Sequence, residues 1–169
     1  IANGINSTNG RAALLVVNLQ TGATIKLLDT GIGGSGIDAA NSNGLTSAVG
    51  WDADGNGTVD AVYGGDMLGN VWKFDLSAAS STQWSAPTAP IFTATSANGT
   101  AQPITAGLTI TLHPRTFQPW IFFGTGRMMT AGDLTNRNVQ TLYGFVEDGS
   151  AKTRSGANAN LVRRQTVVS

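Results

Sequence analysis

At 169 residues the chain is long enough for one domain with a sizeable core. Ten basic and ten acidic side chains cancel, and charged residues make up only 12%, so no basic stripe offers itself to a phosphate backbone and nucleic-acid binding is set aside. Cysteine is absent, which removes disulfides, thiolate metal sites and cysteine nucleophiles together but leaves the compartment open.

Low charge with 22 glycines and abundant Ser, Thr and Asn suits a surface-exposed all-β protein. No apolar run approaches the roughly 18–20 residues of a membrane span. The chain opens on Ile1, with neither Met nor a signal sequence, so the expectation is a mature fragment or an excised domain.

Helical periodicity is nearly absent, and short strands recur between glycine and asparagine turns. Gly10–Leu19 reads as a strand, Gln20-Thr21-Gly22 as a tight turn and Ala23–Leu28 as the returning partner. A glycine-rich stretch from Gly31 to Asn43 leads into a strand at Leu45–Val49. An Asp-rich loop, a strand at Asp60–Gly64, a hairpin at Leu68-Gly69-Asn70 and a strand at Val71–Leu76 follow. Further on, Ile104–Leu112, Ile121–Gly124 and Leu142–Glu147 read as strands, the last two joined by a long connection from Arg127 to Val139.

Two of these stretches resemble one another. Ala61-Val-Tyr-Gly-Gly-Asp followed by Val71-Trp-Lys-Phe-Asp75 parallels Ile121-Phe-Phe-Gly-Thr-Gly followed by Leu142-Tyr-Gly-Phe-Val-Glu147. Leu15-Val-Val-Asn-Leu19 looks like the matching strand of an earlier unit without its aromatic residue. Repeated units of three or four strands are the mark of a β-propeller, whose ring takes four to eight blades. The fold expected is therefore all-β, an incomplete β-propeller of two blades plus part of a third. Residues 1–30 form part of a blade, 45–95 a blade carrying the Asp-rich loop, and 104–169 a blade with a long insertion.

The loop Asp52-Ala-Asp-Gly-Asn-Gly-Thr-Val-Asp60 sets oxygen donors at every second position: Asp52, Asp54, Asn56, the carbonyl of Thr58, and Asp60. A hard cation such as Ca²⁺ takes six to eight oxygens at about 2.3–2.6 Å. Gly57 permits the sharp turn, Gly55 frees the backbone beside it, and Val59 is expected to point into the core. An EF-hand is excluded, because Tyr63 stands where its bidentate Glu belongs and the flanks read as strands. Asp60 then serves as the closing ligand. Asp52, Asp54, Asp60, Asp66 and Asp75 are half of the ten acids, and crowded carboxylates repel one another without a cation. Mg²⁺ fits less well, since it demands a stricter octahedron and keeps its water. The alternative is a metal-free turn that caps its own backbone.

Other signals carry less. Gly31-Ile-Gly-Gly-Ser-Gly36 has dinucleotide-binding spacing, but Ile37 to Gly44 offers no apolar helical stripe, so an interblade loop is the better reading. His113, the single histidine, reads as a turn or strand-edge residue. Gly124-Thr-Gly-Arg127 lacks the Lys-Ser/Thr ending of a phosphate loop. Trp51, Trp72, Trp84 and Trp120 read as filling between blades rather than as a carbohydrate platform. Arg163 and Arg164 form a solvated pair, and Asn6, Asn56 and Asn98 match the glycosylation pattern by chance.

Several motifs in fixed order then match a known family. Asn3–Leu14, Asp52–Leu76, Pro103-Ile-Thr-Ala-Gly107, Phe123-Gly-Thr-Gly-Arg127 and Gln140-Thr-Leu-Tyr-Gly-Phe145 resemble the C-terminal propeller of PilC/PilY proteins, tip-associated adhesins and biogenesis factors of bacterial type IV pili. In that family the Asp-rich loop binds calcium and controls pilus extension against retraction, which carries over onto Asp52, Asp54, Asn56, Thr58 by its carbonyl, and Asp60. The resemblance implies a non-enzymatic, exported module at the pilus tip or outer membrane. Its implied partners are pilus tip subunits (minor pilins), the remainder of a larger parent protein and, for adhesion, a host surface. Two competitors stand beside it. A quinone-dependent dehydrogenase propeller also uses calcium, but with ligands converging from several blades. In an integrin-like or lectin-like adhesive propeller, calcium is purely structural.

Overall fold

The computed structural model describes residues 1–5, 7–34, 42–129, 131–150, 152 and 161. Arg163, Arg164, Asn6 and the second half of the glycine spacing, Ser35 and Gly36, lie outside these residues, as does most of the 153–169 stretch. Nine strands make three antiparallel sheets among the described residues: β1 (Arg11–Val17) with β2 (Thr24–Gly33); β3 (Val49–Trp51), β4 (Ala61–Gly65), β5 (Asn70–Asp75) and β6 (Phe92–Thr93) in chain order; and β7 (Thr109–Leu112), β8 (Pro119–Gly124) and β9 (Leu142–Val146). The described residues contain no α-helix, only a 3₁₀ turn at Ala131–Thr135. No helix among them is long and apolar enough to cross a membrane. This is the all-β, incomplete β-propeller expected from the repeats.

Both faces of the central sheet are buried, and the period-two alternation of β4 and β5 divides them. Trp72 and Phe74 face one way, packing with Leu14 and Leu28 of the first sheet and with Leu45. Ala61, Tyr63 and Val71 face the other way, against Ile121, Phe123, Tyr143 and Phe145 of the third sheet. Phe92 seals this second interface, with ring centroids 5.1 Å from Tyr143 and 5.1 Å from Phe145, within the range of favourable aromatic pairing. The Gly64–Gly65 pair lets both neighbours approach. A Cβ at Gly64 would lie 2.5 Å from the Ser47 carbonyl, and one at Gly65 would lie 2.4 Å from the Ile104 side chain.

Asp66, directly after β4 and wholly buried, organises the turn into β5. Its Oδ1 accepts the N–H groups of Leu68 (2.9 Å) and Asn70 (2.8 Å). Its Oδ2 accepts the side chains of Asn43 (2.9 Å), Asn70 (2.9 Å) and Trp72 (2.8 Å). The Asp66 carbonyl in turn accepts the N–H of Ile104 (3.0 Å), tying the approach to the third sheet to the same turn.

At the far end of the second interface Glu147 receives Lys73 (2.8 Å) and the Tyr63 hydroxyl (3.1 Å). Burial works against ionising Glu147, yet the hydrogen bond and charge of Lys73 outweigh it, and the carboxyl is held below its ordinary 4.5. Burial first, and the Glu147 charge second, push the Tyr63 phenol above its ordinary range.

The structure moves several expected elements. Leu45–Val49 is not a strand: Leu45 makes one bridge to Asp66 and pairing starts at Val49. Thr46 breaks the run by donating its N–H and hydroxyl to the Gly65 carbonyl, and its hydroxyl also reaches the Ile104 carbonyl. Ile104 likewise sits between sheets, so the strand expected over Ile104–Leu112 shortens to β7. Gly31–Gly33, expected in a loop, extend β2. Trp51, Trp72 and Trp84 pack against the two interfaces, but Trp120 lies on the other face of β8, against Phe122 and His113. His113 is a turn residue after β7, its Nδ1 meeting the Thr116 N–H and hydroxyl.

Two outcomes follow. Asp66→Ala strands five buried donors and is expected to cost at least about 4 kcal/mol, read as a lower urea midpoint. Glu147 stabilises the fold fully above its ordinary value, and that contribution is lost as pH falls through its depressed folded value. In Glu147→Gln the acid limb of a stability–pH profile should therefore flatten.

Candidate metal centre in the β3–β4 loop

The Asp-rich segment is the connection between β3 and β4, two strands of the central sheet. Its ends are fixed by backbone bonds: the Asp60 N–H donates to the Trp51 carbonyl (2.9 Å), and the Asp60 carbonyl accepts the Leu76 N–H (2.8 Å). Gly55 and Gly57 take left-handed φ values of 75° and 88°, which a side chain resists.

Asp52 shapes the turn. One of its oxygens accepts the N–H groups of Gly55 (2.8 Å) and Asn56 (3.2 Å), and the other accepts that of Gly57 (2.8 Å). The Gly57 N–H foremost, followed by those of Gly55 and Asn56, outweighs slight burial and holds the Asp52 carboxyl below its ordinary range. Asp60 Oδ2 accepts the Ala53 N–H at 2.7 Å, closing the loop from its other end.

Asp52, Asp54 and Asp60 each bring a carboxylate oxygen within 4.8 Å of those of the other two. Opposite ligands of one Ca²⁺ stand about 4.6–5.2 Å apart, so three such oxygens fit around a single ion. Each carboxylate oxygen has two lone pairs, and the N–H bonds to Asp52 and Asp60 leave acceptor capacity free. Asn56 is joined to this group through its Nδ2, which donates to Asp54 Oδ2 (2.8 Å). Its Oδ1 accepts the Thr58 N–H (2.8 Å) and the Thr58 hydroxyl.

Some expectations for this region change. Of the five acids clustered in sequence, Asp66 is consumed by its buried cage and Asp75 accepts from Ser77 (2.9 Å to the N–H), so three converge. Val59 does not enter the core. It lies over Gly50, whose missing side chain gives it only partial cover, and it stays 46% exposed. Tyr63, at the twelfth position from Asp52, is buried in β4 and committed to Glu147. In the Gly124–Arg127 stretch, set aside as a phosphate loop, Arg127 donates to the buried Asp133 from Nε (2.9 Å) and Nη2 (2.8 Å). Glu147 is hidden from a sequence reading because Tyr63 and Lys73 are remote from it, whereas Asp66 has local partners in Leu68, Asn70 and Trp72, and Gly-Gly-Asp ahead of Gly-Asn-Val-Trp marks a turn needing an acceptor.

The family profile described as the PilY1 beta-propeller domain matches residues 1–167. A type IV pilus biogenesis factor PilY1 homolog of Xylella fastidiosa is 42% identical over 159 residues, covering 88% of this chain and 11% of the relative. The type IV pilus biogenesis factor PilY1 of Pseudomonas aeruginosa strain PAO1 is 34% identical over 182 residues, covering 95% of this chain and 15% of the relative. The crystal structure of the Pseudomonas aeruginosa PilY1 C-terminal domain superposes with a TM-score of 0.75 at 29% identity, over 89% of this chain and 34% of that one. The chain thus spans a small part of each of these relatives.

Asp52→Ala removes the acceptor of three loop amides. Amide exchange at Gly55 and Gly57 is expected to rise at least about tenfold, with β4 and β5 amides unchanged.

Proposed function

The chain belongs to the PilY1 β-propeller domain family, and on that premise we propose that it is a calcium-binding, non-enzymatic propeller module of an exported type IV pilus biogenesis factor. The observation that carries the reading is the convergence of Asp52, Asp54 and Asp60 in one hairpin loop of the central sheet. Calcium neutralises the three carboxylates, with Asn56 and the Thr58 carbonyl completing the set, and orders the loop surface beside β3 and β4. A surface whose shape depends on calcium suits a switched contact with pilus tip subunits, and through it the control of pilus extension against retraction and of adhesion. At a hundredfold excess over the dissociation constant, calcium supplies about 2.7 kcal/mol to such a switch.

A regulatory role is favoured over a purely structural one by a specific feature. The loop lies at the sheet's edge, while the sheet itself is held by two buried interfaces that do not involve the loop. The quinone-dehydrogenase reading is disfavoured because the donors come from one contiguous loop rather than from several blades.

Calorimetric titration of the purified chain with Ca²⁺, with Mg²⁺ as control, is expected to give one selective site. Asp60→Ala should abolish it with the fold retained. An Asp60→Ala protein that binds Ca²⁺ as tightly as the parent overturns the ligand assignment.

A further inference from the structure

A cavity of about 500 Å³ opens between the 96–103 turn and residues 127 and 136–140. Its wall carries the carboxamides of Asn98, Asn136, Asn138 and Gln140 and the guanidinium groups of Arg127 and Arg137, with neither an acidic nor an aromatic side chain among the described lining residues. Its volume falls within the ordinary range for ligand sites, about 300–1,000 Å³.

The wall is pinned from below. Gln102, 2% exposed, donates from Nε2 to the Val139 carbonyl (2.7 Å) and the Thr141 hydroxyl (3.0 Å), and its Oε1 accepts the Tyr143 hydroxyl (2.7 Å). That network fastens the 127–140 segment to the 96–103 turn, so the cavity has a fixed floor. The two arginines differ in charge balance. Arg127 is neutralised by Asp133 at 2.8 Å. Arg137 donates to the Leu134 carbonyl (3.2 Å) and has no carboxylate within ion-pairing distance among the described residues.

We propose that this cavity is a binding site for an extended acidic peptide. Asn138 keeps both the donor and the acceptor of its carboxamide for a peptide group of the ligand, while Asn98 and Asn136, whose Oδ1 atoms accept within their own turns, offer Nδ2 donors, and Gln140, whose Nε2 donates to the Asn138 carbonyl, offers its Oε1. The Arg137 guanidinium supplies a planar fork for a carboxylate side chain. A sugar ring finds no aromatic platform among the described lining residues, which turns the choice toward peptide. The site is separate from the Asp-rich loop and does not depend on its metal.

The test is fluorescence anisotropy of the calcium-free chain, in buffer without chelator, against a labelled hexapeptide of alternating aspartate and glycine. The same peptide with asparagine for aspartate is the control. Arg137 is exposed, so Arg137→Gln leaves the fold intact, and it is expected to weaken the acidic peptide by at least about tenfold. Arg115→Gln, at another exposed arginine, should leave affinity unchanged. Side-chain amide shifts at Asn98, Asn136 and Asn138 should move on titration. Equal binding of the two peptides, indifference to Arg137→Gln, or no binding of the acidic peptide at millimolar concentration overturns the proposal.

Discussion

The buried carboxylate of Asp66 is the constraint on which the arrangement of sheets depends. It is surrounded by neutral donors from three places: the turn it opens, the Trp72 indole in β5, and Asn43 from the segment leading out of the first sheet. A buried charge is tolerated only when hydrogen bonds replace its lost water, and five donors do so here. Because those donors come from separate stretches of chain, satisfying one carboxylate fixes where the first sheet, the β4–β5 turn and the path toward the third sheet must lie.

With that turn fixed, the central sheet has two buried faces and little freedom. Trp72 and Phe74 commit one face and Tyr63 and Val71 the other, while Gly64 and Gly65 admit the chain on either side at distances no side chain would allow. The Asp-rich loop is carried on this frame, its ends tied to Trp51 and Leu76. Its remaining hydrogen bonds among the described residues lie within the loop itself. That separation of a stiff sheet from a charge-dense edge loop is what a ligand-responsive surface requires.

How much was legible follows from where the partners lie. The loop from Asp52 to Asp60 is contiguous, so its donor spacing is visible in the sequence itself, as are the Asx-type turns that close it. The repeats at Tyr63-Gly-Gly and Phe123-Gly-Thr point to the β-propeller class, each motif being legible in its own stretch of chain. Leu45 and Ile104 misled because both read as strand openers, whereas their side chains and backbones are spent between sheets, at Asp66 and Gly65. Val59 misled because alternation is not kept inside an irregular loop. The Phe92–Thr93 strand is too short to carry a period, and Glu147 meets the paired Tyr63 and Lys73 only through the packing of two sheets.

On the proposed reading, calcium acts on the loop and leaves the sheets to their own packing. Amide hydrogen exchange with and without Ca²⁺ tests this most directly, because it reads each segment separately. Ca²⁺ is expected to slow exchange at Gly55, Asn56 and Gly57 while Leu68, Asn70 and the β4–β5 amides stay equally protected in both states. Loss of protection throughout the central sheet on calcium removal would contradict it and make the ion a fastening of the fold.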